Sequence, residues 1–191
     1  MGEMKRRMLS GESYRDDDGE LLAERLACRR ALDEFNGAPA DDEERRIEIL
    51  RSLLGSLGER TRIMPRLTCD YGAQIHIGDD SFLNYDAILL DCAHITIGSN
   101  VFIGPRAQLL TALHPMEDHA ARRAGWESAA PVTIGDGVWL GAGVIVCPGV
   151  RIGPDTVIGT GSVVTRDLPA RVFAAGNPCR VIRSLEGEAP A

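Results

Sequence analysis

A histidine followed by a proline, His114-Pro115, stands in the one segment where an otherwise regular sequence pattern is interrupted. The interruption spans residues 110–131 and carries an aromatic residue, Trp126, near its end. Histidine is the side chain whose ordinary pKa suits proton transfer near neutral pH, so His114 is the first candidate for a general base. A long loop inside a regular fold is usually functional or disordered, and these residues favour function. Taken alone, a loop histidine beside a proline is more often an ordinary surface residue.

The regular pattern on both sides of this loop is an apolar residue at every sixth position. Helices repeat near 3.6 residues and strands repeat at 2, so neither explains a period of six. A hexapeptide repeat is typical of a parallel β-helix, in which short strands coil into stacked turns. The later run is Ile134, Leu140, Val146, Ile152, Ile158 and Val164; the earlier run is Tyr71, Ile77, Leu83 and Leu89, and it resumes two positions out of phase at Ile97, Ile103 and Leu109.

Glycine follows many of these apolar positions, and a small or β-branched residue stands four positions after them. Glycine next to an inward position relieves crowding and permits backbone angles that other residues avoid. One coil cannot bury its apolar face alone, so neighbouring coils must stack to make a core. The sequence therefore predicts an all-β solenoid over residues 63–183, with residues 110–131 as a protruding loop and residues 184–191 as a tail.

The first 62 residues lack the six-residue period and predict a small α-helical domain. One helix carries Leu22, Leu26, Leu32 and Phe35 and ends at Asn36-Gly37, a typical helix terminator. A second helix begins near Asp41, with Glu44 three residues later, and has Ile47, Leu50 and Leu54 on its apolar face. This region is short, so we expect it to pack against the β-helix.

Composition and charge exclude several classes of partner. A net charge of −7 without basic runs argues against nucleic acid and anionic membranes. No apolar stretch reaches the length of a membrane span, and the charged start is not followed by a signal-peptide core. Five cysteines without a CxxC pair fit a reduced, cytoplasmic protein in which they are small buried hydrophobes.

Several motifs spread over nearly the whole chain resemble those of the maltose, galactoside and nodulation-type O-acetyltransferases. The hexapeptide pattern alone specifies only a fold, whereas the helical start, the His-Pro loop and the closing segment together are much more specific. The motifs are Met8-Leu9-Ser10-Gly11-Glu12, Glu34-Phe35-Asn36, Ile75-His76-Ile77-Gly78, Asn84-Tyr85, His114-Pro115 and Ala174-Ala175-Gly176-Asn177-Pro178-Cys179-Arg180-Val181-Ile182-Arg183.

The resemblance implies a left-handed β-helix, a homotrimer with active sites between subunits, and acetyl transfer from acetyl-coenzyme A to a hydroxyl of a sugar or glycoside. His114 matches the family's catalytic base, and Asn84 matches a residue that contacts the acceptor near the reacting hydroxyl. Asp16 and Asp70 match residues that bind the acceptor sugar, and Asp91 and Trp126 are further candidates for that role. One branch of the family has a second acid where Cys92 stands, so the resemblance does not extend to galactoside specificity.

For the donor, the resemblance points to arginines and to small residues along the coil. Thr165, Arg166, Arg180 and Arg183 match positions that meet the coenzyme, and guanidinium groups suit phosphate geometry. We expect Gly141, Ala142, Gly159 and Thr160 to line the pantetheine channel, with Trp139 as its wall or as a packing residue. The Ala142 N–H is a candidate for stabilising the tetrahedral oxyanion. No metal is expected.

Three alternatives stay open at this stage. His76, His94 and His114 have spacings that suit a zinc-dependent hydratase of the γ-carbonic-anhydrase type, which shares the β-helix but would leave the N-terminal helices and the arginines unexplained. A non-catalytic structural trimer leaves the His114 loop unexplained. An acetyltransferase that acts on serine or an antibiotic remains possible, although such relatives lack this N-terminal domain.

Overall fold

The computed structural model describes residues 1–185, and most of this chain forms a left-handed parallel β-helix of about six turns. Its strands stack into three faces. One face contains β2 (Ser56–Leu57), β5 (Ile75–Ile77), β8 (Ile95–Ile97), β13 (Val132–Ile134) and β16 (Arg151–Ile152). The second contains β3 (Arg62–Ile63), β6 (Phe82–Leu83), β9 (Phe102–Ile103), β14 (Trp139–Leu140), β17 (Val157–Ile158), β19 (Val172–Gly176) and β20 (Cys179–Ser184). The third contains β4 (Thr68–Cys69), β7 (Ile88–Leu90), β10 (Gln108–Leu110), β15 (Ile145–Val146) and β18 (Val163–Val164). The prediction of a hexapeptide β-helix is therefore confirmed.

The inward residues of stacked strands lie in register and form one continuous core. On the second face, each inward residue pairs with the one in the next coil, in the order Ile63, Leu83, Ile103, Leu140 and Ile158. All the residues of the later hexapeptide run are buried. Stacking in register explains why the pattern needs a constant period, because a one-residue slip would turn an inward side chain outward.

The outward side chains differ between the three faces, and we name the faces after them. The polar face presents Ser56, His76, Thr96, Thr133 and Arg151 in register. The aromatic face presents Arg62, Phe82, Phe102, Trp139, Val157 and Phe173. The aliphatic face presents Ile88, Gln108, Ile145 and Val163 in one row, with Leu90 and Leu110 in the next. Phe102 and Trp139 are 54% and 56% exposed, so the aromatic face offers apolar surface to a partner.

Glycines that follow inward positions allow neighbouring coils to approach closely. A Cβ on Gly104 would lie 2.6 Å from the Ala142 nitrogen, and one on Gly141 would lie 2.6 Å from the Thr160 nitrogen. Neither glycine has a positive φ, so the expectation of unusual backbone angles fails here and steric relief is the reason for glycine.

The N-terminal region contains helices α1 (Glu3–Leu9), α2 (Gly19–Gly37) and α3 (Glu43–Leu53) and one short strand, β1 (Tyr14–Arg15). The predicted apolar face of α2 is wrong in its first turns, because Leu22 and Leu26 are exposed and Leu21 and Cys28 are buried with Leu32 and Phe35. At the start of α3, Asp42 caps the helix by accepting from the Arg45 N–H.

The helices dock on the first coil through polar as well as apolar contacts. The Asn36 amide donates to the Leu67 carbonyl at 2.9 Å and accepts from the Leu67 N–H at 2.8 Å. Strand β2, whose residues precede position 62, pairs with β5, so the coil begins earlier than the boundary that the sequence suggests.

At the other end of the chain, β19 and β20 form an antiparallel pair that reaches Ser184. Residues 186–191 of the predicted tail lie outside the described residues. Among the helices of the described chain, none combines the length and the apolarity that crossing a membrane requires.

Candidate active site

The three faces of the β-helix form a triangular prism. At the corner between the aliphatic and polar faces, the connections between strands contain extra residues. We call residues 70–74, 90–94 and 111–131 the hairpin corner. From Cys69 to Ile77, and again from Leu89 to Ile97, the inward positions step by eight residues rather than six. The sequence pattern predicted Tyr71 as the inward residue of this coil. That prediction is wrong by two positions, because the inward residue is Cys69. Tyr71 instead packs with Met8 and Tyr14 outside the coil.

In the next coil the extra residues form a hairpin rather than an irregular loop. Strand β11 (Ala112–Leu113) pairs antiparallel with β12 (Trp126–Ala129), and the short helix α4 (His119–Arg123) lies between them. The register pairs Leu113 with Ser128, so its continuation places His114 opposite Glu127. Directly opposite residues of an antiparallel pair lie on the same side of the hairpin. His114 itself is exposed, as a base that meets a substrate must be.

Glu127 is the functional candidate that the sequence analysis missed. It is 9% exposed, and it pairs through β1 with Tyr14. Burial raises the pKa of the Glu127 carboxyl, the charge of Asp16 raises it further, and the charges of His114 and Arg25 lower it. An imidazole whose charge acts on a carboxylate across a hairpin can work with it as a pair. Thirteen positions separate them in sequence, so only the hairpin register reveals the pairing.

The two predicted acceptor carboxylates Asp16 and Asp70 meet at the same corner. Asp70 is half-buried, burial raises the pKa of its carboxyl, and the Cys92 thiol donates to its Oδ2 at 3.5 Å. Asp16 accepts from Arg25 Nη1 at 3.0 Å. The Arg25 guanidinium also lies 5.9 Å from the centre of the Tyr71 ring. Arg25, which the sequence analysis did not select, therefore holds Asp16 and lowers the pKa of Asp70 by its charge.

Asp91 does not reach the surface, which corrects its expected contact with an acceptor. Its side chain is fully buried and accepts from the backbone N–H groups of Asp70 at 3.0 Å, Tyr71 at 2.9 Å and Gln74 at 3.4 Å. Asp91 thus fixes the backbone that carries Asp70. Burial raises the pKa of the Asp91 carboxyl to about 7, and the N–H donors keep it from rising further.

Because the Asp91 pKa is raised, the free energy of unfolding should depend on pH. Asp91→Asn should make this dependence weaker. An unfolded aspartate has a pKa of about 3.9, so the native state favours the protonated form. The stabilising contribution is full below pH ~4 and is lost as the pH rises through ~7, on the order of 4 kcal/mol in total. Urea unfolding at fixed protein concentration between pH 4.5 and 8 should show a flatter pH dependence for Asp91→Asn. Asp33→Asn, at an exposed position of α2, is the control, and equal slopes for Asp91→Asn and the wild type would contradict the assignment.

Trp126 points to the other side of the hairpin from Glu127, because consecutive strand residues alternate. There the Arg7 guanidinium stacks on its ring at 5.6 Å. Trp126 therefore helps to hold α1 against the hairpin. It also lines a cavity of about 460 Å³ with Pro115, the residue after His114, so its contact with the acceptor stays a prediction.

A second group of predicted residues lies at the corner between the aromatic and aliphatic faces, which we call the second corner. It contains Asn84, Gly141, Ala142, Gly159 and Thr160. The Asn84 side chain accepts from the Tyr85 N–H at 2.8 Å and is half-buried. Within the described chain the Ala142 N–H donates no hydrogen bond, while the Ala142 carbonyl accepts from Gly161. In one chain, the aliphatic face separates this corner from His114.

The predicted donor residues lie on two different parts of the surface. Trp139 and Arg183 line a groove of about 510 Å³ on the aromatic face, together with Val157, Phe173 and Leu185. Arg180 is exposed on β20 nearby. By contrast, Thr165 and Arg166 follow β18 and are exposed at the end of the aliphatic face. One chain therefore does not bring all of the donor residues together.

Within the described part of one chain, the three histidines of the zinc alternative do not come together. His76 and His94 have ring centres 5.5 Å apart, and His76 Nδ1 lies 3.2 Å from Ser56 Oγ on the polar face. His114, however, belongs to the hairpin. Over residues 1–185 no group of three or more His, Cys, Asp or Glu side chains is placed to hold a metal ion.

Comparison with known proteins agrees with this architecture. The maltose acetyltransferase hexapeptide capping motif matches residues 7–58, and the bacterial transferase hexapeptide model, six repeats, matches residues 131–166. Nodulation protein L of Rhizobium meliloti is 43% identical over 93% of this chain and 96% of its own length.

Two solved structures are similar over almost the whole chain. A maltose O-acetyltransferase from Clostridium difficile 630 is 46% identical, with a TM-score of 0.95 over 97% of this chain and 98% of that one. A galactoside acetyltransferase in complex with coenzyme A is 36% identical, with a TM-score of 0.93 over 97% and 92%. With both ends of the fold and the intervening coils matched at these identities, the chain belongs to the maltose, galactoside and nodulation-type O-acetyltransferases.

Proposed function

We propose that the protein transfers an acetyl group from acetyl-coenzyme A directly to a hydroxyl of a sugar or glycoside, with His114 as the general base. The observation that carries this proposal is the hairpin register, which places an exposed His114 opposite the buried carboxylate Glu127, at a corner that also holds Asp16 and Asp70. Carboxylates at a pocket wall suit an acceptor with many hydroxyl donors.

The chemistry follows from what these groups can exchange. An alcohol is a poor nucleophile at neutral pH, so His114 takes the hydroxyl proton as the oxygen attacks the thioester carbon. Glu127, opposite the imidazole, stabilises the imidazolium that forms, as a buried carboxylate does in catalytic triads. The tetrahedral intermediate collapses with cleavage of the carbon–sulfur bond, and the imidazolium returns its proton to the departing thiolate. The products are the acetyl ester and coenzyme A.

The Ala142 N–H supplies a hydrogen bond to the oxyanion, and Asn84 orients the acceptor hydroxyl. Both lie at the second corner, so they must come to His114 from another chain. A cyclic trimer joins two different patches of each chain. In such a trimer, each seam combines the hairpin corner of one chain with the second corner of its neighbour.

The coenzyme lies in the same seam. Its pantetheine arm runs beside Gly141 and Gly159, with Trp139 as a wall, and its phosphates meet Arg180 and Arg183 of one chain and Thr165 and Arg166 of the next. The coenzyme A bound to the similar galactoside acetyltransferase supports this donor. The five free cysteines support a reducing cytoplasm as the compartment.

Replacing both Arg180 and Arg183 with alanine should raise the KM for acetyl-coenzyme A by about 30-fold, since each lost phosphate contact weakens binding by roughly 1 kcal/mol. The KM for the acceptor should not change. Arg171→Ala serves as the control, because it removes an exposed arginine whose side chain pairs with Asp155 at 3.6 Å and does not line the groove. A donor KM that stays at the wild-type value in the double variant argues against phosphate binding by these arginines.

A screen of acceptors with acetyl-coenzyme A tests the proposed function as a whole. Release of the free coenzyme thiol would be measured with glucosides, galactosides, maltose, serine and chloramphenicol. We expect turnover with one or more of the sugars and none with serine or chloramphenicol. Turnover with serine or chloramphenicol alone contradicts the proposal.

A further inference from the structure

Two buried thiols from different parts of the chain are in contact. Cys28 lies on α2 and Cys69 on β4, they are 2% and 5% exposed, and their sulfur atoms are 3.5 Å apart. Cys28 Sγ also lies 3.7 Å from the Cys69 carbonyl oxygen. The sequence separation is 41 residues, so no local element brings them together. The contact depends on the docking of the helical region on the coil.

A disulfide between them needs only a small movement. A disulfide bond is about 2.05 Å long, so the sulfurs must approach by roughly 1.4 Å from their present separation. A rotation of both side chains with a slight shift of α2 supplies such a distance. The movement is small compared with the rearrangement that a bridge between distant cysteines would require.

A small oxidant can reach one of the two thiols. Cys28 lines a cavity of about 340 Å³ between the helices and the coil, with Lys5, Ser52 and Tyr71 among the other lining residues. The contact with Cys28 and burial both raise the pKa of the Cys69 thiol. Cys69 is therefore a poor first nucleophile, and the reaction begins at Cys28 and is slow.

We infer that Cys28 and Cys69 form an oxidation site at which a peroxide-class oxidant creates a disulfide that ties α2 to the β-helix. The Cys28 sulfur attacks hydrogen peroxide, giving a sulfenic acid and one water. The Cys69 sulfur then displaces the hydroxyl from that sulfenic acid, forming the S–S bond and a second water. Two thiols lose two electrons and two protons, and one peroxide is reduced to two waters. This modification does not depend on the proposed function.

The bridge also has a consequence for the acceptor corner, and this consequence does rest on the proposed function. Cys69 directly precedes Asp70, and Arg25, which holds Asp16, lies one helical turn before Cys28. Drawing the sulfurs together displaces both acceptor carboxylates relative to His114. A misplacement near 1 Å can cost a large factor in rate, so we expect the acceptor KM or kcat to change on the order of tenfold. The KM for acetyl-coenzyme A should stay constant.

The test treats the intact protein with hydrogen peroxide, quenches free thiols with an alkylating reagent, and maps the peptides by mass spectrometry without reduction. We expect a linked Cys28–Cys69 peptide, an intact mass lower by two hydrogens, and a Tm higher by roughly 5 °C or more, all reversed by dithiothreitol. Cys28→Ser and Cys69→Ser should each abolish the linked peptide and the rise in Tm. Cys147→Ser changes a half-exposed thiol that lies outside the Cys28–Cys69 contact and should leave both intact.

Two results would overturn the inference. One is full oxidation of Cys147 while Cys28 and Cys69 are still recovered as alkylated thiols. The other is a linked peptide that forms only above the unfolding temperature, because the native contact would then play no part. A linked peptide with unchanged acceptor kinetics keeps the oxidation site and rejects only its consequence for the acceptor corner.

Discussion

Replacing His114 with alanine should lower kcat for acetyl transfer by a factor of about 10² or more, because general-base catalysis contributes roughly 10²–10⁴-fold. The KM for acetyl-coenzyme A and the unfolding transition should be close to those of the wild type, since His114 is exposed at the hairpin. Initial rates of thiol release with a saturating acceptor give this comparison. His119→Ala, an exposed histidine on α4 of the same hairpin, is the matched control.

The same measurement on Glu127 separates the base from the group that supports it. Glu127→Gln keeps the size of the side chain and removes its charge, so kcat should fall by about tenfold while donor binding is unchanged. Near-normal turnover in His114→Ala rejects the base assignment. A loss in Glu127→Gln that is accompanied by a lower Tm of several degrees points to a structural role for this buried carboxylate.

Mixing two inactive variants should restore activity if each active site is shared between chains. Asn84→Ala damages the second corner and His114→Ala damages the hairpin corner. In a trimer assembled at random from equal amounts of both, about one seam in four combines an intact His114 with an intact Asn84 from its neighbour. Unfolding and refolding the mixture together should therefore yield about a quarter of the wild-type activity.

Two controls make this result specific. Each variant refolded alone should stay inactive, and variants mixed without unfolding should also stay inactive while subunits do not exchange. If the mixture never exceeds the sum of the two variants although mixed trimers are present, the two corners do not cooperate across a seam. The location of Asn84 and Ala142 beyond the aliphatic face would then need another explanation.

The docking of the N-terminal helices could be predicted only in part. Periodicity places helices at the right positions, but it assigns Leu22 and Leu26 to the buried face, where the structure has Leu21 and Cys28. A short amphipathic segment with apolar residues on two sides allows more than one choice of buried face, and the surface that it meets decides between them. The Asn36–Leu67 hydrogen bonds show how specific that surface is.

The six-residue period determined the β-helix, because every coil must place an apolar residue inward at the same interval to stack on the next. The period was less reliable where the coil departs from six residues, and Tyr71 was therefore assigned to the core instead of Cys69. His114 was identifiable because it stands where the pattern is interrupted, and the family resemblance gave it a role.

Tertiary structure alone decided what surrounds that histidine. Continuing the hairpin register sets Glu127 opposite it, and Arg25 reaches Asp16 by the packing of a helix. The sequence predicts that Asp91 binds the acceptor sugar, yet its carboxyl group accepts hydrogen bonds from three backbone N–H groups in the interior. Repetition fixes a fold because its interactions are local and identical from coil to coil. A site joins residues far apart in the chain, and their distances exist only once the chain has folded.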